Sequence, residues 1–282
     1  MHSARAVVAC GLALLTGCSG STPEPSILDE TIVVGVANDA PGFALGDLNP
    51  SGFDIDVMNA IGAKLGRPVV QTPISSAARA PMLKSRKATL VIHTYSITKG
   101  RNADGIDFAG PYMVSSQALL VRADSDLSAK DDLNGKDVCT VATTTGEGVV
   151  VPGAIMGTTG TVKPTTRECV NAVLDGNISA FFTDTLLLYG YAAAYKGKFR
   201  VILPGVFGQN QYYGVGLLQG HHADCLKINE VLKEYLREQW RQDFRDTLPA
   251  AVAAYPGNQS TGDFEGVFKP RDTDMDTLSC TL

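Results

Sequence analysis

Two opposite charges stand in similar settings in this sequence, each at the end of an apolar run and among hydroxyls. Leu90-Val91-Ile92 leads into His93-Thr94-Tyr95-Ser96-Ile97-Thr98, and Arg101 follows one turn later. Ala180-Phe181-Phe182-Thr183 leads into Asp184, and the run 138–142 leads into Thr143-Thr144-Thr145. The planar guanidinium fork of Arg101 suits a carboxylate, which it can hold through two parallel hydrogen bonds. A carboxylate such as Asp184 suits an ammonium. Together they would take the two charges of an α-amino acid, since each buried ligand charge needs a paired group. The hydroxyls of Thr94, Ser96, Thr143 and Thr145, with nearby backbone amides, would satisfy the remaining polar atoms. Plainer roles stand beside these. Arg101 also reads as a solvated loop cation, and Asp184 as a helix N-cap before Leu186-Leu187-Leu188. Hydrolytic chemistry has little support. Of four histidines, His2 lies near the N-terminus and His221-His222 in a polar turn, and no G-x-S-x-G occurs.

The surrounding pattern says how such residues would be placed. Residues 31–37 (TIVVGVA) are a β-branched run, predicted as a buried strand. Asp39 lies in the turn at its carboxyl end. A helix is predicted over 52–65, stopped by Gly66-Arg67-Pro68, then a strand from Val69. A short helix over 80–85 and the strand 90–92 follow, with Thr98 capping the helix that carries Arg101. A second alternation begins at Asp137, with strands at 138–142, 161–163, 180–183 and 200–203, and helices at 168–174 and 186–195. Such β-α-β-α-β runs predict parallel sheets covered by helices, in which ligands bind at the carboxyl ends of strands. Apolar runs at 117–122 and 213–218 add two more strands. Residues 223–248 carry a stripe of Leu226, Val231, Leu232, Leu236, Trp240 and Phe244, which reads as packing. The tail, 250–282, shows no pattern and is expected to be irregular chain.

Bulk properties set outer limits. With 282 residues, 44% hydrophobic and 19% charged, the chain has material for two cores. A net charge of −5 with scattered Lys and Arg argues against nucleic-acid binding. At the N-terminus, one arginine precedes the short apolar run 6–15, too short to span a bilayer and typical of a signal segment. Leu15-Thr16-Gly17-Cys18 resembles a bacterial lipobox, with Cys18 as the lipidated first residue after cleavage of the signal. An ordinary secretory signal with an incidental Cys is the alternative. Residues 19–30 open with SGSTPEPS, a flexible tether. Export would place Cys139, Cys169, Cys225 and Cys280 in an oxidising setting. With no C-x-x-C, they read as two structural disulfides, for which three pairings are open. No metal or cofactor is implied.

Several motifs in order resemble one family. Gly52-Phe53-Asp54-Ile55-Asp56, Ser96-Ile97-Thr98 with Arg101, Asp107-Phe108-Ala109-Gly110-Pro111-Tyr112 and Asp132-Leu133-Asn134-Gly135-Lys136 look like those of extracellular solute-binding proteins of the polar amino-acid ABC-importer class. The resemblance runs from about Thr31 to Trp240. It is closest to the actinobacterial glutamate-binding lipoproteins, through the lipobox, Ala109-Gly110-Pro111-Tyr112, and cysteines at 139 and 169. It implies an α/β, two-lobed, type II periplasmic-binding-protein-like fold with two hinge strands and the ligand in the interlobe cleft. Lobe 1 would comprise 31–119 and 216–282 and lobe 2 would comprise 120–215, with crossings near 118–122 and 213–218. Arg101 matches the family's α-carboxylate residue and Asp184 its ammonium residue. Thr94 and Ser96 match ligand-backbone contacts, and Thr145 matches a hydroxyl on the second lobe. Ser76-Ala77-Ala78-Arg79 resembles the Ser-x-Asn-Arg segment of acidic-amino-acid binders, which would make Ser76 and Arg79 contacts for the side-chain carboxylate. A solvated helix arginine is the other reading of Arg79. The chain departs from the family at Ala78, at Ala88-Thr89-Leu90, at His93 and at Thr143. His93 either narrows the pocket and joins in ligand pairing, or is a histidine bonded to backbone. The pairings to test are Cys139 with Cys169 and Cys225 with Cys280. The implied protein is a monomeric, non-enzymatic, lipid-anchored capture protein at the extracellular face of the membrane. It would hand glutamate or aspartate, or glutamine or asparagine, to an ABC permease. A sensor subunit and a cyclohexadienyl-dehydratase-like enzyme are the alternatives on the same fold.

Overall fold

The chain builds two five-stranded sheets, each with a hydrophobic core of its own. The computed structural model describes residues 25–258 and 262–281, apart from residues 152, 154 and 156. The signal segment, Cys18 and residues 19–24 of the tether lie outside the described residues.

In the first sheet, β1 (Ile32–Val36) pairs in parallel with β4 (Val69–Pro73) on one side and β5 (Leu90–Val91) on the other. Between β1 and β4 lie a small hairpin, β2 (Asp39–Ala40) with β3 (Ala44–Leu45), and helix α1 (Phe53–Leu65). Gly66, in the left-handed region at φ 62°, ends α1 by returning its N–H to the last turn. Helix α2 (Arg79–Lys84) precedes β5, and α3 (Lys99–Ala103) follows it, as the alternation predicts. The ten-residue strand β6 (Ile106–Ser115) is buried throughout.

The second sheet runs β11 (Phe199–Ile202), β7 (Gln117–Arg122), β10 (Ala180–Asp184), β8 (Asp137–Val141), β9 (Thr159–Lys163). Helices α4 (Glu147–Val150), α5 (Thr166–Leu174) and α6 (Thr185–Ala194) connect its strands. Strand β12 (Gln211–Leu218) then returns to the first sheet between β5 and β6.

The crossings fall earlier than expected. β7 is in the second sheet from its first residue, so the outward crossing is Ser116 alone. β12 is wholly in the first sheet, so the return lies in 203–210. The expected boundaries at 119/120 and 215/216 are corrected accordingly. The expectation took the two apolar runs for hinge strands, yet each forms full ladders within its own sheet. The segments that cross carry no periodic signal.

After β12, helices α7 (His222–Glu238) and α8 (Trp240–Thr247) bury Val231, Leu232, Leu236, Trp240 and Phe244. Leu226 is 47% exposed and does not belong to that stripe, which is a second correction. The tail is not irregular. It forms α9 (Pro249–Ala254), a hairpin of β13 (Pro256–Asn258) and β14 (Gly262–Asp263), and helices α10 (Phe264–Phe268) and α11 (Asp272–Leu278). Its signal is sparse because each short helix contributes only one or two core groups, among them Phe264, Phe268 and Met275. Those aromatics join Trp240 and Phe244, whose ring centroids lie 4.8 Å apart, while the Trp240 indole N–H donates to the Tyr112 carbonyl at 2.9 Å. The disulfides are Cys139–Cys169 and Cys225–Cys280, each with Cα atoms 5.7 Å apart. One ties β8 to α5, and the other ties the first turn of α7 to the tail. Among the described residues no helix is long and apolar enough to cross a membrane.

Candidate functional site

The turn after β5 is shaped from below by a buried carboxylate. Asp54, in the first turn of α1, accepts the Thr94 N–H at 2.9 Å and the Tyr112 hydroxyl at 2.7 Å. Burial pushes its pKa up to about 6 despite those two donors. This fixes Thr94 at φ 42°, in the left-handed region, and turns residues 93–96 along the cleft. Ser96 bridges to Tyr213 of β12. Thr98 caps α3 as predicted, its hydroxyl accepting the Arg101 N–H at 3.2 Å.

Arg101 and Arg79 then converge. Their guanidinium carbons lie 4.5 and 4.6 Å from the centroid of the Tyr95 ring, which carries both as cation–π partners. Arg101 donates to the Ser96 carbonyl and, at 3.3 Å, to the Thr143 carbonyl of the second lobe. Arg79 donates to the Ser76, His93 and Thr143 carbonyls at 2.9, 3.4 and 3.2 Å. With 4% of its surface exposed, Arg79 is not a solvated helix residue. Burial, then the charge of Arg101, lowers its pKa to about 9, so it stays cationic at neutral pH. Burial also lowers that of Arg101. Neither cation has a carboxylate within ion-pair distance among the described residues.

The facing wall belongs to the second lobe. Asp184 ends β10 with 6% exposure and occupies the N-cap position of α6, but its side chain makes no capping bond. It accepts instead from the Tyr213 hydroxyl at 2.7 Å and from Gln117 at 3.5 Å. Burial raises its pKa to about 6, opposed by those two donors and then by Arg101 and Arg79. The Thr145 hydroxyl accepts from the same Gln117 amide at 3.3 Å.

Asp39, Ser76, Arg79, His93, Thr94, Ser96, Arg101, Thr145 and Asp184 all line one cavity, closed on the far side by Thr144, Thr166, Thr183 and Leu187. Its free volume is about 30 Å³, room for roughly two waters. Thr143 departs from the expectation. Its side chain is not in the lining, because the backbone at φ 61° presents the carbonyl to the cleft instead. Thr144 takes the lining place. His93 is bonded to backbone, its Nε2 to the Ile74 carbonyl at 3.0 Å, and it lines the cavity as well. Burial and then Arg79 hold its pKa down to about 3, so the imidazole is neutral.

Asp54, Tyr95, Gln117 and Tyr213 escaped sequence reasoning as site residues. Asp54 and Tyr95 lay inside segments already singled out. Gln117 is an amide opening an otherwise apolar strand, a signal that could have been read. Tyr213 lay in a run read only as strand.

Known proteins resemble this chain over most of its length. The family model of the bacterial extracellular solute-binding proteins, family 3, matches residues 32–260. The chain is 33% identical over 237 residues to a glutamate-binding protein, GluB, of Corynebacterium glutamicum, covering 78% of this chain and 80% of that one. It is also 33% identical over 248 residues to GluB of Corynebacterium efficiens, covering 81% and 83%. Among solved structures, an ancestral arginine-binding protein bound to arginine superposes with a TM-score of 0.71 at 26% identity, over 78% of this chain and 99% of that one.

Proposed function

The chain belongs to the bacterial extracellular solute-binding proteins, family 3, and from that premise we propose that its solute is an acidic α-amino acid, glutamate or aspartate. One observation carries the reading: a buried guanidinium, Arg79, and a half-buried one, Arg101, neither with a carboxylate partner among the described residues, face one buried carboxylate across a shared cavity. The site has two positive groups and one negative. A ligand with two carboxylates and one ammonium pairs every one of them, whereas glutamine or asparagine leaves one arginine unpaired in a desolvated cleft. An unpaired buried charge is costly, and that cost sets the preference. In this reading Arg101 takes the α-carboxylate, Arg79 the side-chain carboxylate and Asp184 the ammonium. Thr94, Ser96 and Thr145 supply hydrogen bonds, and Ser76, Asp39 and His93 complete the wall. The names of the corynebacterial relatives support the same ligand.

Both forks rest on the Thr143 carbonyl, and the free volume is too small for an amino acid. Ligand entry therefore requires Thr143, and the lobe that carries it, to withdraw from the arginines. Exchanging one carbonyl for two ligand carboxylates gives closure its driving force. The protein is a capture device and performs no chemistry. Tethered through a lipid on Cys18 at the outer face of the membrane, it delivers the amino acid to an ABC permease.

Calorimetric titration of the Arg101→Ala and Asp184→Asn variants with glutamate tests the assignment. Each removes one partner of a buried pair and should cost about 3–5 kcal/mol of binding. Wild-type affinity in either variant would refute it.

A further inference from the structure

The two crossings between the lobes meet at one side chain. Gln117 opens β7 one residue past Ser116 and has 1% of its surface exposed. Its carbonyl accepts the Gly205 N–H of the return crossing at 2.8 Å. Gly208 of the same crossing, at φ 72°, lies against its amide so closely that a Cβ there would sit 1.9 Å from Oε1. The adjoining Ser116 carbonyl accepts the Thr185 N–H at 2.8 Å, and the Ser115 hydroxyl accepts the Leu186 N–H at 3.3 Å. Gln117 also faces Asp184 in the β7–β10 register, and its Nε2 reaches Asp184 and Thr145 together.

Packing does not account for an amide here. Its neighbours Ala118, Leu119 and Leu120 are apolar and fully buried, and Oε1 has no hydrogen-bond partner among the described residues. Leaving a buried amide oxygen unpaired is unfavourable, so an apolar side chain of similar size would suit the strand better.

We infer that Gln117 is the positioning residue of the ammonium subsite, holding the Asp184 carboxylate and the Thr145 hydroxyl in register with both lobe crossings. The inference rests on Asp184 as the ammonium partner. An N–H donor stabilises the carboxylate over the neutral acid, and only the carboxylate attracts an ammonium. The other groups that act on Asp184 are the Tyr213 hydroxyl from β12, Arg101 from α3 and Arg79 from α2. Asp39 and the neutral His93 line the same cavity.

The test is glutamate affinity of the intact protein measured from about pH 5 to about pH 8, a range in which the ligand's own groups hold their charge. Wild type should lose affinity as the pH falls through the Asp184 transition. In Gln117→Leu that loss should begin at higher pH, by about half a unit, with the deficit about threefold in the acid limb and shrinking above it. Gly208→Ala, which crowds the amide from the crossing, should move the limb the same way. Gln117→Glu should move it furthest, because a second carboxylate opposes ionisation of the first. An equal loss at every pH, or an unmoved midpoint, would overturn the inference. Should Gln117→Leu not fold, Gln117→Asn and Gly208→Ala carry the same readout. Asp184→Asn separates the two failures. If it binds glutamate like wild type, the site assignment falls. If it abolishes binding while Gln117→Leu leaves the midpoint in place, only the role of Gln117 falls.

Discussion

Arg79 is where residue chemistry decides the ligand. Its fork is buried, stacked on Tyr95 and bound only to carbonyls. Replacing it with Ala should weaken glutamate by about 3 kcal/mol or more and leave glutamine nearly unaffected, collapsing the preference between them. Parallel loss of both ligands in calorimetry would remove Arg79 from the side-chain subsite. Asp54 acts from beneath. Asp54→Asn keeps an acceptor for the Thr94 N–H but offers Tyr112 a poorer partner, so unfolding should be easier by about 1–3 kcal/mol in urea titration. At this scale the sequence was informative where a charge stood among hydroxyls at a strand end. Arg101, Asp184, Thr94 and Ser96 share one cavity for that reason. It was silent on Tyr213 and Tyr95, whose roles depend on a hydroxyl or ring meeting a residue far along the chain. At Thr143 a positive φ reversed which atom faces the cleft, something residue type does not reveal.

Among the elements, α6 is the one that joins the lobes. It starts at Asp184 and places Leu187 in the cavity lining. Further along, the Tyr191 hydroxyl donates to the Asp39 carbonyl, and Tyr189 packs edge-on against Tyr255 of the first lobe. Gly190 meets Pro41 so closely that a Cβ would lie 2.1 Å from the Pro41 carbonyl oxygen. Gly190→Ala favours the helix by about 1 kcal/mol, yet it forbids this approach. The expected outcome is glutamate binding weakened about tenfold with no fall in the melting temperature of the ligand-free protein, since only closure is obstructed. Unchanged affinity would show that closure does not use this contact. Strands and long helices were legible because their apolar periods are strong, and α1, β5, β7 and α7 show it. The crossings and the tail were not, since Ser116 has no period and the tail's helices are anchored by single aromatics.

For the whole molecule, pH should act in opposite directions on stability and on binding. Asp54, Asp56 and Asp184 have pKa values raised to about 6, chiefly by burial, and Asp39 is raised as well. A carboxyl with a raised folded-state pKa contributes stability that is complete below its unfolded value and is lost as the pH rises through its folded value. The groups held low, Asp124, Asp132, Glu265 and Asp274, act only below the ordinary carboxylate range. His93, held down to about 3, acts the other way as the pH falls through the ordinary imidazole value, but it is one group against three carboxyls raised to about 6. The ligand-free protein should therefore melt at a higher temperature near pH 5 than near pH 7.5, while glutamate affinity declines over the same interval as Asp184 takes up a proton. A scanning-calorimetry profile that falls with acid in this interval would contradict the assignment of these buried carboxyls. The two-lobed plan itself was legible from the repeated β-α-β-α-β alternation and the ordered motifs. The central claim, that two arginines and one aspartate select an acidic amino acid, is tested most directly by isothermal titration of the protein from residue 19 onward with each of the twenty amino acids. Glutamate or aspartate should bind one to one and more tightly than glutamine, asparagine and all others. Tighter binding of a neutral or basic amino acid, or of none, would contradict it.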